Sequence, residues 1–398
     1  MIAKNLTKWF VAGFVLLVVF VVGIRTSAQQ VRFDETVARL KSPDARERIE
    51  ALQRLGEAAY PEAIAAVAPL VIDIDDRVQL AAIAAEVRFF LAEGGPKATI
   101  VDVFATVPFS VYPRPVPRDL TVALLGALWD ETKQVRLDAA YTLGAVGHPP
   151  LSQPDAAALL GALRHPDPAT RAAVARACGR LQVRESGDAL VAAMNDTNPD
   201  ARLAAIWALG ELRFDRAVQA LTDFASHYGT SEVGLAALSS LARIAHASSA
   251  PAFRAALGDR NVDMRRLGAE GVARLRDRAA LPQIEQGIAA ERDARAQAAL
   301  LFALNTLGQR QAESLAMLLA DKRAFAVARD YLRELGEPAV PALVPQLEHP
   351  DAAVRRGVVD VLGVIGGAEM ANTIWTLQQD PDGAVREATA RALERMKK

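Results

Sequence analysis

The sequence predicts an all-α protein, a right-handed solenoid (superhelix) of about eleven two-helix units with a period near 31 residues. Three observations carry that expectation. First, an Arg is followed eight positions later by Gly at Arg48–Gly56, Arg136–Gly144, Arg171–Gly179, Arg202–Gly210 and Arg355–Gly363. Second, a residue able to cap a helix stands four positions before such a marker: Asp44, Thr132, Asp167, Asn198, Asn261, Asp351 and Asp382. Their side-chain oxygens can accept from the unpaired N–H groups of a first helical turn. Third, apolar residues make up 51% of the chain and aromatics only 6%. Ala, Leu and Val dominate that share, a mix suited to helices packed closely through small side chains.

The elements follow in chain order. Lys4 and Lys8 precede the apolar run Trp9–Ile24, after which comes "RTSAQQ". This is the pattern of a secretory signal over residues 1–28, with Thr26 and Ala28 at the −3 and −1 positions of a cut before Gln29. An uncleaved membrane anchor is the other reading. Residues 9–24 as a helix reach only about 24 Å against a bilayer core of about 30 Å, and Lys8 and Arg25 could snorkel to narrow the gap. No Cys follows the run, which argues against a lipoprotein anchor. Either reading puts the body of the protein outside the cytoplasm, periplasmic or extracellular.

Residues 29–93 hold the first repeats, with markers at Arg48 and, in a weaker copy, Gln79. Residues 94–118 are a proline-rich insert carrying Pro96, Pro108, Pro113, Pro115 and Pro117, with Phe109, Tyr112 and Arg114 between them. Proline at that density cannot be helix interior, so the insert reads as a surface loop, a spacer or a partner-binding segment. Residues 119–398 are the main array, with weaker copies at Gly234, Arg265, Arg295, Ala328 and Arg386. Within a unit the second helix bears apolar residues at +3, +4 and +7 from the marker, such as Ala205, Ile206 and Leu209, or Val358, Val359 and Leu362. The first helix lies upstream, in stretches such as "SGDALVAAMND" and "EPAVPALVPQLEH", and helices of 10–14 residues are expected. Glu387, Arg391, Glu394 and Arg395 give the last helix the polar outer side that a terminal cap requires.

The turn–Asp–x–x–x–Arg phrase with Leu-Gly at +7 and +8 resembles HEAT repeats, and most of all the short HEAT-like repeats also found in phycobilisome lyases. The resemblance covers about residues 35–398. It implies a hydrogen-bonded ladder between neighbouring units built from Asp44, Arg48, Asp167, Arg171, Arg202, Asp351, Arg355, Asp382 and Arg386. Gly234 and Ala328 in the Arg slot would break it, with Arg329 a shifted substitute at the second.

Chemistry is sparse. His165 and His349 fill the same turn slot of two units, and none of the five histidines has metal-ligand spacing with another, so no metal site is expected. The single cysteine, Cys178, takes a stripe position and reads as a buried small hydrophobe. No phosphate-binding glycine motif, cofactor site or acid–base pair stands out, and a net charge of −1 argues against nucleic acid. The expectation is a non-catalytic, exported, monomeric scaffold or adaptor that binds a protein or peptide on its concave surface. Tyr141, Arg176 and Trp207 occupy the outward +5 slot of consecutive units and are candidate partner-binding residues, as are Phe109, Tyr112 and Arg114 of the insert. The alternatives are a bilin-lyase-like enzyme or enzyme helper, implied by the resemblance alone, and a membrane-anchored sensor component.

Overall fold

A helix starts in this chain wherever a short polar side chain can close an N–H group of the first turn. Asp44, Asp167 and Asp351 do so, each accepting from the N–H two positions on; Asn198, Asn261 and Asp293 accept from two N–H groups each. The computed structural model describes residues 32–90, 115–146 and 151–396, all helix and turn with no strand among them. Residues 1–28, most of the insert with Phe109, Tyr112 and Arg114, and His148 lie outside the described residues. No described helix is long and apolar enough to cross a membrane.

The chain divides into two compact units, Met1–Ala189 and Leu190–Lys398. In the first unit the second helices of repeats 1–4 are Ala45–Ala58, Asp76–Phe90, Lys133–Val146 and Pro168–Arg180. Arg118, the last residue of the expected insert, already opens the helix Arg118–Ala127. In the second unit, repeats 5–11 supply Pro199–Glu211, Glu232–Ile244, Val262–Leu275, Ala294–Thr306, Phe325–Leu335, Ala352–Ile365 and Gly383–Met396.

Two markers shift. Asp293 caps repeat 8 and the Gln297 N–H bonds to its carbonyl, so the marker slot is Gln297 and not Arg295. In repeat 9 the Asp321 carboxylate accepts from the Arg323 N–H as a cap does, and Leu332, seven positions after Phe325, is buried while Leu335 is not, so the stripe is in register with Phe325 and not Ala328, although the helix itself begins after Ala324. With these two changes the +7 column is Leu55, Glu86, Leu143, Cys178, Leu209, Leu241, Val272, Leu304, Leu332, Leu362 and Leu393, every one buried. It is the spine of the core, and Glu86 is its only charged-type member.

The first helices Arg118–Ala127, Gln153–Ala162, Val218–Tyr228 and Leu281–Ala290 have the expected length, while others are shorter or broken. "EPAVPALVPQLEH" folds as 3₁₀ Glu337–Ala339, α Val340–Leu343 and 3₁₀ Val344–Glu348. Pro338, Pro341 and Pro345 each remove an N–H donor and keep an α-helix from propagating. The Gly at +8 has a packing reason. A Cβ on Gly363 would lie 2.6 Å from the Ala392 Cβ, and one on Gly210 2.8 Å from the Ser240 Oγ. Second helices of adjoining repeats meet at that slot.

The marker arginines hold the turns. Nη1 of Arg48 donates to the Ser42 and Pro43 carbonyls (2.8 and 3.2 Å), and Nη1 of Arg355 to those of His349 and Pro350 (2.7 and 3.1 Å). Arg136, Arg171, Arg202, Arg265 and Arg386 repeat this bond pair, six and five positions back in their own repeat. Gln79 keeps half of it, donating to the Asp73 carbonyl.

Several of these side chains also reach the next turn. Arg48 pairs with Asp73 (2.8 Å), Arg136 with Asp167 (3.1 Å), Arg265 with Glu291 (2.7 Å) and Arg355 with Asp380 (2.8 Å). Three of the four acceptors stand two positions before the cap. The capping carboxylates of Asp44, Asp351 and Asp382 bond instead to N–H groups of their own first turns. The same slot before the cap takes the cap's own N–H, on Asp73, His165, Asp196, Asp259, Glu291, His349 or Asp380. The two histidines are therefore turn acceptors through Nδ1. Arg202 faces a turn with Gly229 in this slot, and its buried Nε has no hydrogen-bond partner.

Candidate functional site

The +5 slot of the second helix does not gather into one described patch. Tyr141 is half-buried and Arg176 exposed in the first unit, while Trp207 is half-buried in the second. Each is described within its own unit. Arg176 and Arg180, one turn apart, are mutually repelling: burial and then Arg176 hold Arg180 below the ordinary arginine range. Cys178 is fully buried, and burial pushes its thiol up to about 12, which leaves no thiolate for chemistry near neutral pH. Among the described residues no group of three or more His, Cys, Asp or Glu side chains is placed to hold a metal ion.

The richest constellation lies in the second unit, on the +5 to +9 slots of repeats 5–9. The +9 slots read Glu211, Arg243, Arg274, Thr306 and Glu334. Arg243 pairs with Glu211 of the preceding repeat. Arg274 forks onto Glu334, Nε to Oε1 at 2.8 Å and Nη2 to Oε2 at 2.9 Å. Buried Glu270 at +5 takes Arg266, Arg274 (3.3 Å) and the hydroxyl of Tyr331 (2.5 Å). Tyr331 in turn stacks on Phe302 of repeat 8, ring centroids 4.7 Å apart and 4° from parallel.

Two of these links, Arg274–Glu334 and Tyr331–Glu270, join repeat 7 to repeat 9 and pass over repeat 8. Adjacent packed helices lie about 9 Å apart, so an Arg and a Glu two helices away could not meet on a flat array. The second helices of repeats 7 and 9 therefore approach each other on this side. The electrostatics follow the geometry. Burial alone would pull the Arg274 guanidinium down, but Glu334 and Glu270 outweigh it and hold it above the ordinary arginine range. Burial first, and then Glu270, drives the Tyr331 hydroxyl up, so it donates and does not ionise. Arg243 is held down by burial and next by Arg274.

The column was not visible in a slot-by-slot reading. Glu270 occupies a +5 slot, but its partner Tyr331 lies 61 residues away, two repeats on. Charge of both signs recurring at +9 is the signal that could have found it.

What such an array offers is a rigid, polar surface assembled from many repeats. This is the class of helical-repeat scaffolds. The family described as HEAT repeats matches residues 156–233 and 312–394, so those two stretches carry HEAT repeats. No curated protein matches the chain. Among solved structures, an engineered protein is 18% identical over 92% of this chain and 99% of its own, with a TM-score of 0.33. Importin beta is 18% identical over 92% of this chain and 50% of its own, TM-score 0.38. The complex of CpcE and CpcF of phycocyanin lyase from Nostoc sp. is 23% identical over 63% of this chain and 95% of its own, TM-score 0.39.

Proposed function

We propose that the protein is an exported, non-catalytic adaptor that binds a protein or peptide partner along the side presented by its second helices. The observation that carries this reading is the fixed column from Glu211 to Glu334, in which ion pairs and a stacked Tyr–Phe pair lock repeats 7, 8 and 9 together. A locked surface loses little conformational freedom on binding, which favours recognition of another macromolecule. The protonated, buried thiol of Cys178 fits the absence of a nucleophile in this reading. The apolar segment at residues 9–24 and the site before Gln29 support export, with release or anchoring decided by cleavage.

The test is site-specific photo-cross-linking in native envelope. A photo-reactive residue at Trp207, beside the column, is expected to trap a defined partner, and one at the exposed first-helix residue Gln283 is not. Equal trapping from both positions would overturn the assignment of the binding side. Amino-terminal sequencing of the recovered protein is expected to start at Gln29; a start at Met1 would make it an anchored form.

A further inference from the structure

The second-helix ends of repeats 5–9 enclose a cleft of about 420 Å³, all of it within the second unit. Four arginines line it, Arg213, Arg243, Arg274 and Arg276, against one acid, Glu334. Arg243 and Arg274 are matched by Glu211 and Glu334. Arg213 and Arg276 are exposed and make no ion pair among the described residues. Both sit at the +11 slot with positive φ, 46° and 51°. Repeats 8 and 9 put Gly308 and Gly336 at that slot, the residue that backbone sterics favour there. Repeats 1, 4 and 6 place Ala59, Gln182 and Ala245 in the same slot, so the two arginines are what distinguishes it at this cleft. Ala245 and Ala273 leave the floor of the cleft shallow and apolar between the guanidinium groups.

We infer that this cleft binds an extended acidic peptide segment, its carboxylates seated on Arg213 and Arg276 and its backbone lying across Ala245 and Ala273. The inference rests on the adaptor reading above and names the chemistry of the partner. An extended chain advances about 3.3 Å per residue, so Glu at every third position offers a carboxylate about every 10 Å to the two unpaired arginines. Guanidinium forks favour the planar, two-oxygen geometry of carboxylates. A nucleic acid would face the same four arginines, but the chain as a whole carries a net charge of −1.

The experiment uses the full chain and a fluorescein-labelled nonapeptide with Glu at every third position. Fluorescence anisotropy is expected to show saturable binding that weakens several-fold when salt is raised from about 50 to about 300 mM. The variant Arg213→Gly/Arg276→Gly removes both charges and suits the left-handed backbone, so it keeps its fold. It is expected to bind at least tenfold more weakly. Arg213→Gln/Arg276→Gln should do the same, and the Lys analogue of the peptide should not bind. Equal affinity of wild type and both variants, or no saturation with wild type, overturns the inference. So does tighter binding of a labelled oligothymidylate of equal charge. Retained cross-linking at Trp207 in the glycine variant would leave the adaptor reading standing while the cleft assignment fell; loss of cross-linking in wild type would remove the adaptor reading by itself.

Discussion

Glu86 in the first unit and Glu291 in the second are the same residue, both withdrawn from solvent, yet they stand at opposite ends of the acid scale. Glu86 is fully buried and takes the +7 slot that Leu fills in most repeats. Neither of its oxygens has a hydrogen-bond partner, and burial raises its carboxyl to about 9. Glu291 lies in a turn, where the Arg265 fork at 2.7 and 3.0 Å and the N–H groups of Arg292 and Asp293 hold it down to about 2. Position within the repeat, and not residue type or depth, decides the charge. In the stripe a carboxyl meets only apolar side chains and stays protonated. In the turn the same group meets donors made available by the helix start.

The largest test of this contrast is pH. Glu86 binds a proton in the folded state that the unfolded chain has released above about 4.5, the ordinary glutamate value. Stability of the first unit should therefore fall as pH rises from about 5 towards 9, by about 1.4 kcal/mol per pH unit within the window. Glu86→Leu should flatten that slope and raise the melting temperature at pH 8 in calorimetric scans. A slope that survives the substitution would break the comparison from the Glu86 side.

Next in size is the rung itself. Arg265→Leu strips Glu291 of its counter-charge at a poorly solvated site, and a loss of about 3 kcal/mol is expected in urea unfolding at pH 7. The sign opposes that of Glu86. The contribution of Glu291 is present above about 4.5 and is lost as pH falls towards 2. In the Arg265→Leu variant the carbon-13 signal of the Glu291 carboxyl should titrate at higher pH than in wild type; an unmoved midpoint would mean that the backbone donors alone set it.

A smaller effect sharpens the packing side of the same argument. Gly363→Ala forces its methyl to within 2.6 Å of Ala392, and a loss of about 2 kcal/mol is expected from thermal melts. Gly161→Ala, where nothing lies within 4 Å of the added methyl, should change stability by no more than about 1 kcal/mol and should favour the folded state.

Most of the fold was legible because its signals are local. Caps, the +3, +4 and +7 stripe and the Arg-to-Gly step all lie within about a dozen residues. Repeats 8 and 9 are the exception: Arg295 and Ala328 match the spacing of the marker, but the side chains of Asp293 and Asp321 carry the cap chemistry. The break in the first helix of repeat 10 is legible too, in Pro338, Pro341 and Pro345. The ladder acceptors were harder. Asp73, Glu291 and Asp380 stand two positions before the cap, and which of two neighbouring acids turns towards the previous repeat depends on side-chain direction. The column was least legible, since Arg274 and Glu334 meet only because helices two repeats apart converge.

The arginine clasp on its own turn has a consequence for how such a chain could have grown. Both ends of each bond, as in Arg355 with the His349 and Pro350 carbonyls, fall within one stretch of seven residues. A duplicated segment inherits its clasp intact, whatever sequence lands beside it. The cross-links to the next turn are not inherited in this way, because they need a matching acid on a neighbour, as Arg202 opposite Gly229 demonstrates. Copying therefore spreads the fold faster than it spreads the bonds between copies, and those junctions are where sequence divergence has room to reshape the surface.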